Sequence, residues 1–197
     1  MNTKHIGKVV FLDRDGVINR DSPEYIKNWS EFHFLPGSLE ALGILKRHGY
    51  TVVVITNQSI IGRKMVEPHV LEETHRNMRR AVAESGGEIH HIFFCPHTPD
   101  GRCQCRKPKP GLLFQARDAL GIDLAACAMI GDSAKDVLAA RNAGCGQAVL
   151  VSTGNGKTAL EDLREKGVSP DYVAYDLLDA VHWLVTTDCQ PSGGPHA

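Results

Sequence analysis

The run Thr51-Val52-Val53-Val54-Ile55-Thr56 constrains this fold more than any other stretch, because its apolar interior shows no alternation. A strand that is apolar on both faces needs cover on both faces, as inside a parallel sheet flanked by helices. Val9-Val10-Phe11-Leu12, leading into Asp13, has the same character. Shorter apolar runs at 89–94, 128–131 and 148–152 are expected as further strands. Helical patterns separate them. One starts with Ser38 as its cap, carries Leu39, Leu42 and Leu45, and stops at Gly49. Another opens on Pro68 and spaces Leu71, Met78 and Val82 along one face. Residues 110–120, stopped by Gly121, and 137–143, closed by Gly144, complete the alternation. The expected fold class is therefore α/β, a doubly wound parallel sheet. Helices near 159–166 and 177–185 are expected to be packing elements, and 188–197 a disordered tail. That leaves residues 1–187 as one domain.

A chain of 197 residues, 42% hydrophobic, can bury one substantial core. Its 22 basic and 23 acidic residues nearly cancel, with no long basic run. This argues against a nucleic-acid partner and against an anionic membrane surface. No stretch reaches the roughly 20 apolar residues that cross a bilayer. The first eight residues lack a small-residue cleavage site, so the expected address is the cytoplasm. In a reducing compartment, six cysteines point to metal binding or burial rather than a disulfide framework.

Parallel sheets bind ligands at the carboxyl ends of their strands. The polar clusters all fall there: Asp13 and Asp15, then Thr56-Asn57-Gln58, then Cys95-Pro96-His97, then Asp132. In extended chain, residues i and i+2 share a face, so Asp13 and Asp15 are expected to point together while Arg14 points elsewhere. One carboxylate can attack or hold a metal while its neighbour handles a proton. The competing reading makes Asp15-Gly16 an ordinary turn. Asp132 facing Asp13 would form a hard oxygen site suited to Mg²⁺, with Asp136, one helical turn on, orienting it. Thr56 offers a hydroxyl to a phosphate and Lys107 a compact positive charge, although most lysines are simply solvated.

Asp13-Arg14-Asp15-Gly16, Thr56-Asn57-Gln58, Lys107 and Gly131-Asp132 with Asp136, in that order, resemble the four motifs of the haloacid dehalogenase superfamily of phosphohydrolases. The resemblance spans residues 8–153. It implies Asp13 as a nucleophile forming an aspartyl-phosphate and Asp15 as acid, then as base for water. It also implies Thr56 and Lys107 as phosphoryl stabilisers. Mg²⁺ would be held by Asp13, the Asp15 backbone carbonyl and Asp132.

Cys95, His97, Cys103 and Cys105 supply three sulfurs and an imidazole within eleven residues, the donor set of structural Zn²⁺. Buried thiols or a disulfide are the alternatives. A zinc-stiffened loop over 95–105 would carry Arg106 and Lys107 to the reaction centre. It makes the chain similar to the zinc-loop group of sugar-bisphosphate and histidinol-phosphate phosphatases. Thr56-Asn57-Gln58-Ser59 and Arg106-Lys107-Pro108-Lys109-Pro110-Gly111 look more like the heptose-bisphosphate branch. The resemblance then implies a small phosphorylated sugar as substrate, with histidinol phosphate the runner-up and a 3′-phosphorylated polynucleotide a distant third. A zinc-stapled binding module without catalysis is the non-enzyme alternative. With 40 residues between Asp15 and Thr56 and 50 between Thr56 and Lys107, there is no room for a large cap domain. Substrate selection would fall to loops: Asp21 in 21–29, Asn57, Gln58 and Ser59 in 57–64, and Arg106, assisted by Lys109. A monomer is expected.

Overall fold

A computed structural model describes residues 7–188. Its sheet has six strands: β1 (Val9–Leu12), β2 (Thr51–Asn57), β3 (His91–Cys95), β4 (Cys127–Gly131), β5 (Gln147–Val151) and β6 (Tyr172–Ala174). They lie in the order β3-β2-β1-β4-β5-β6 and every pairing is parallel. The helices are α1 (Ser38–Arg47), α2 (Pro68–Glu84), α3 (Gly111–Leu120), α4 (Ala134–Ala143), α5 (Gly156–Glu165) and α6 (Leu177–Asp188).

The expected doubly wound sheet is the fold observed, and the reason is visible strand by strand. Val10, Leu12, Val52, Val54, Ile130 and Val149 pack on one face against α1, α2 and α6. Their neighbours Val9, Phe11, Val53, Ile55, Met129 and Leu150 pack on the other against α3, α4 and α5. With both alternating sets buried, the sequence of an inner strand cannot alternate. The chain winds outward from β1 to β3, crosses over, and winds outward again from β4 to β6. The reversal lies between β1 and β4, where Leu12 pairs with Ile130, so the crevice above these two strands is the natural ligand site.

The structure departs from the sequence reading in several places. β6 was not expected; it is three residues long at the sheet edge, and its Val173 stays exposed. β3 begins at His91 rather than at residue 89. Gly37, in a left-handed conformation, occupies the α1 cap position, while Ser38 lies inside the helix and donates its hydroxyl to the Leu35 carbonyl. α4 begins at Ala134, because Ser133 and Asp136 form a reciprocal capping box. α6 runs through Asp188, which pairs with Lys8 at 3.3 Å and accepts from the Tyr50 hydroxyl. The remainder of the expected tail, 189–197, lies outside the described residues. Among the described residues no helix is long and apolar enough to cross a membrane.

Candidate active site

β1 ends at Leu12, so Asp13 and Asp15 sit in the loop beyond the strand rather than in extended chain. The Asp13 amide still donates to the Ile130 carbonyl at 3.0 Å, holding Asp13 against the end of β4. There, carboxylate oxygens of Asp13, Asp132 and Asp136 come within 4.8 Å of one another. Lys107 is the counter-charge. Its buried Nζ lies 3.0 Å from Asp13 Oδ1 and 2.5 Å from Asp136 Oδ1, and it donates to the Ile55 carbonyl at 2.7 Å.

Each member is oriented by a different neighbour. Asp136 Oδ2 accepts from the Ser133 amide at 3.0 Å and hydroxyl at 2.7 Å, leaving Oδ1 for Lys107. Asp132 Oδ2 accepts from the Asn155 amide at 2.9 Å and from Asn155 Nδ2 at 3.2 Å. The backbone is drawn close enough to enclose it. A Cβ on Gly16 or on Gly154 would stand 2.1 Å from Asp132 Oδ2, and both residues have positive φ.

One lysine cannot balance three crowded carboxylates. Burial, reinforced by Asp136, Asp132 and Asp15, raises Asp13 well above the usual carboxylate range, against the pull of Lys107. Burial and the charge of Asp136 push Asp132 up to about 7. Lys107 moves upward as well, because its two carboxylates outweigh its own desolvation. Such a centre gains from a divalent cation, which would favour the ionised carboxylates that crowding disfavours.

Asp15 behaves differently. Burial works to raise it, but Arg14 and hydrogen bonds from Asn19, Arg14 and Gln58 prevail and hold it below the ordinary value. Arg14 Nη2 donates to both oxygens, at 2.7 and 2.9 Å, and Nε to one at 3.1 Å. Arg14 therefore does not point elsewhere, as extended geometry would have it; it folds back onto its neighbour and is buried. Gln58 Nε2 reaches Asp15 at 2.8 Å and the buried Thr56 hydroxyl oxygen at 3.0 Å.

Asp15 opens onto a cleft of about 330 Å³ that Asp21, Tyr25, Asn57, Gln58, Ser59, Arg106 and Lys135 help to line. Asp21, Asn57, Gln58, Ser59 and Arg106, all expected to select substrate, are thus gathered around one opening. Several of them also make bonds within the protein. Asn57 accepts from the Lys107 amide at 3.1 Å and donates to the Lys107 carbonyl at 3.2 Å, clamping the backbone that carries the lysine. Asp21 accepts from Asn155 at 3.3 Å. The Arg106 guanidinium donates to the His97 carbonyl at 3.1 Å. Lys109 is not in the cleft lining; it reaches back to the Cys103 carbonyl at 2.6 Å.

Cys95, His97, Cys103 and Cys105 also converge. Cys95 Sγ lies 3.2 Å from Cys105 Sγ and 3.7 Å from Cys103 Sγ, and His97 Nδ1 lies 3.5 and 3.3 Å from Cys95 and Cys105. Cys95 ends β3, and its carbonyl accepts the Gln58 amide at 2.8 Å, so this loop and the Thr56 loop brace each other.

Comparison with known proteins places the chain. The HAD-hydrolase-like family model matches residues 104–180. A Pseudomonas aeruginosa protein named D-glycero-beta-D-manno-heptose-1,7-bisphosphate 7-phosphatase is 49% identical over 152 residues, 77% of this chain and 85% of that one. A Pseudomonas putida protein of the same name is 46% identical over 174 residues, 88% of this chain and 97% of its own length. Among solved structures, D,D-heptose 1,7-bisphosphate phosphatase from B. bronchiseptica, complexed with magnesium and phosphate, superposes with a TM-score of 0.85. Its identity is 40%, over 91% of this chain and 99% of that one. The chain belongs to the heptose-1,7-bisphosphate 7-phosphatase family.

Like the family, the chain is a phosphoric monoester hydrolase. The carboxylates, the lysine and the loop Cys and His residues expected from the sequence lie together, but most of the side chains that orient them were not expected. Arg14 and Asn19 on Asp15, Asn155 on Asp132, and His75 behind Arg14 were not anticipated. Asn155 stands 23 residues beyond Asp132, and no local pattern links them. Arg14 carried one signal, a guanidinium set between two aspartates after an apolar strand.

Proposed function

We propose that the chain is a Mg²⁺-dependent phosphatase that removes the 7-phosphate of D-glycero-D-manno-heptose 1,7-bisphosphate through an aspartyl-phosphate on Asp13. The observation that carries this reading is the Asp13–Lys107–Asp136–Asp132 cluster at the β1/β4 crevice, beside a cleft edged by Asp15 and Arg106.

Asp13 would attack phosphorus while the bond to the sugar oxygen breaks. Asp15 would give that oxygen its proton. Water would then surrender a proton to Asp15 and attack the same phosphorus, releasing inorganic phosphate and restoring Asp13. Asp15 rests in its basic form beside Arg14, and an arriving phosphate dianion raises its proton affinity. Lys107 and the Thr56 hydroxyl would balance charge on the phosphoryl oxygens. Asp13, Asp132 and the Asp15 backbone carbonyl would hold Mg²⁺, with Asp136 turned toward Ser133 and Lys107. When bound, the ion supplies further positive charge to the transferring group.

The sulfur–nitrogen set fits Zn²⁺. Bonds of about 2.3 Å to sulfur and 2.0–2.1 Å to nitrogen put tetrahedral ligands about 3.5–3.8 Å apart. The contacts of 3.2–3.7 Å approach that tetrahedron. With four protein ligands the ion would be structural. A reducing cytoplasm suits such thiolates. The proposed active form is a monomer.

Arg106 would grip the distal phosphate, its fork matching a phosphate group. Asp21, Asn57, Gln58 and Ser59 would border the sugar. The test compares catalytic efficiency on heptose 1,7-bisphosphate, the matching 7-monophosphate and histidinol phosphate. The bisphosphate should win, and Arg106→Ala should reduce its advantage by roughly 10- to 150-fold, the worth of a charge-assisted contact. Preference for histidinol phosphate would overturn the substrate assignment.

A further inference from the structure

Resting on the assignment of Asp15 as acid and base, we infer that Arg14, seated on His75, is the positioning residue that fixes the Asp15 carboxylate for proton transfer. Arg14 is 1% exposed and is absent from the cleft lining, whereas Asp15 lies on it. The guanidinium therefore acts on the reaction through Asp15.

The geometry leaves the carboxylate little freedom. Three bonds from Arg14, one from Asn19 at 2.9 Å and one from Gln58 at 2.8 Å address its two oxygens from different sides. On its outer side, Arg14 Nη1 lies 3.3 Å from His75 Nε2. The guanidinium centre also sits 5.9 Å from the Phe32 ring centroid. His75 belongs to α2 and packs edge-on to Phe94 of β3. A donor facing Nε2 requires a lone pair there, so the imidazole is neutral with its proton on Nδ1. Burial and the Arg14 charge hold it so, lowering its pKa to about 3.

A purely structural reading is weaker on physical grounds. A buried ion pair gives little net stability compared with apolar residues of the same volume. The arrangement is economical only if the carboxylate itself is needed. Arginine then provides what lysine cannot, a planar fork that fixes the angle of the carboxylate as well as its charge.

Leaving-group dependence separates positioning from folding. p-Nitrophenolate departs without a proton, whereas a sugar alkoxide needs one. In Arg14→Lys and His75→Leu, the pre-steady-state release of p-nitrophenol from p-nitrophenyl phosphate should stay within about threefold of wild type. kcat on the sugar phosphate should fall about 100-fold in Arg14→Lys, with KM unchanged, because a misplaced proton donor costs on that order. His75→Leu should fall in the same direction, while His75→Gln, a neutral acceptor, should restore kcat. Asp15→Asn is the control and should show the same split between substrates. Equal losses on both substrates in Arg14→Lys, or a rise in KM alone, would overturn the inference while leaving the Asp15 assignment intact. If Asp15→Asn treats the two substrates alike, that assignment fails and this inference falls with it. Should Arg14→Lys not fold by circular dichroism, the His75 pair decides, and equal kcat in His75→Leu and wild type refutes the role.

Discussion

Two clusters of metal-ligand type lie at the carboxyl ends of the strands, and they are built in opposite ways. Asp13, in the loop after β1, meets Asp132 and Asp136, at a strand end and in a helix more than 100 residues further along the chain. Lys107, Ser133 and Asn155, set by the fold, hold them. Cys95, His97, Cys103 and Cys105 come from one local segment, only Cys95 is fully buried, and they touch mainly one another. The oxygen centre inherits its order from the sheet. The sulfur loop, on the proposed reading, takes its order from zinc. An exchangeable catalytic ion needs the first arrangement, since the site must survive its departure. A permanent ion can itself be the staple.

The largest effect that probes this contrast is loss of the proposed nucleophile. Asp13→Asn should keep the fold, because Lys107 retains Asp136 and the Ile55 carbonyl. Turnover of any phosphate ester should fall by about 10⁴-fold or more, since an amide does not form the phosphoryl intermediate. Steady-state kinetics alongside a thermal melt would measure both, and loss of fold would show the oxygen centre to be less self-supporting than described.

A smaller effect should follow from breaking the sulfur loop. Cys103→Ser should lower zinc content and cut activity by about 10- to 100-fold, through looser placement of Arg106 and Lys107. Hydrogen exchange should rise over 96–106 and stay slow in β1 and β4. Equal loosening of both regions would erase the distinction between them.

The smallest effect concerns the buried ground behind the oxygen centre. Unfolded, an imidazole has a pKa of 6.5; folded, His75 lies at about 3. Between those values the unfolded chain binds more protons, so the His75 contribution is complete above pH 6.5 and is lost as pH falls toward 3. The slope is at most about 1.4 kcal/mol per pH unit. Urea melts at pH 7 and pH 5 should show His75→Gln losing less stability on acidification than wild type. Identical losses would contradict a neutral buried His75.

The same contrast explains what was legible in the sequence. Runs such as Val52–Ile55 announce a two-faced strand because burial acts on consecutive residues. Strand ends then locate Asp13, Thr56 and Asp132, and the eleven-residue spacing locates the sulfur loop without any fold at all. Partners set by tertiary approach left no such trace. Arg14 meets His75 across 61 residues, Asn57 meets Lys107 across 50, and Gly154 is shaped by its nearness to Asp132. β6 escaped notice because its three residues sit at an edge where burial imposes little pattern.

The most direct test of the account is to find the phosphoryl group in transit. Wild-type protein with Mg²⁺ would be mixed with heptose 1,7-bisphosphate, quenched in acid within a single turnover, digested and analysed by mass spectrometry. The account predicts a phosphoryl adduct on the peptide containing Asp13, absent from Asp13→Asn, with heptose 1-phosphate as the sugar product. Normal turnover by Asp13→Asn, or an adduct on a different residue, would contradict it.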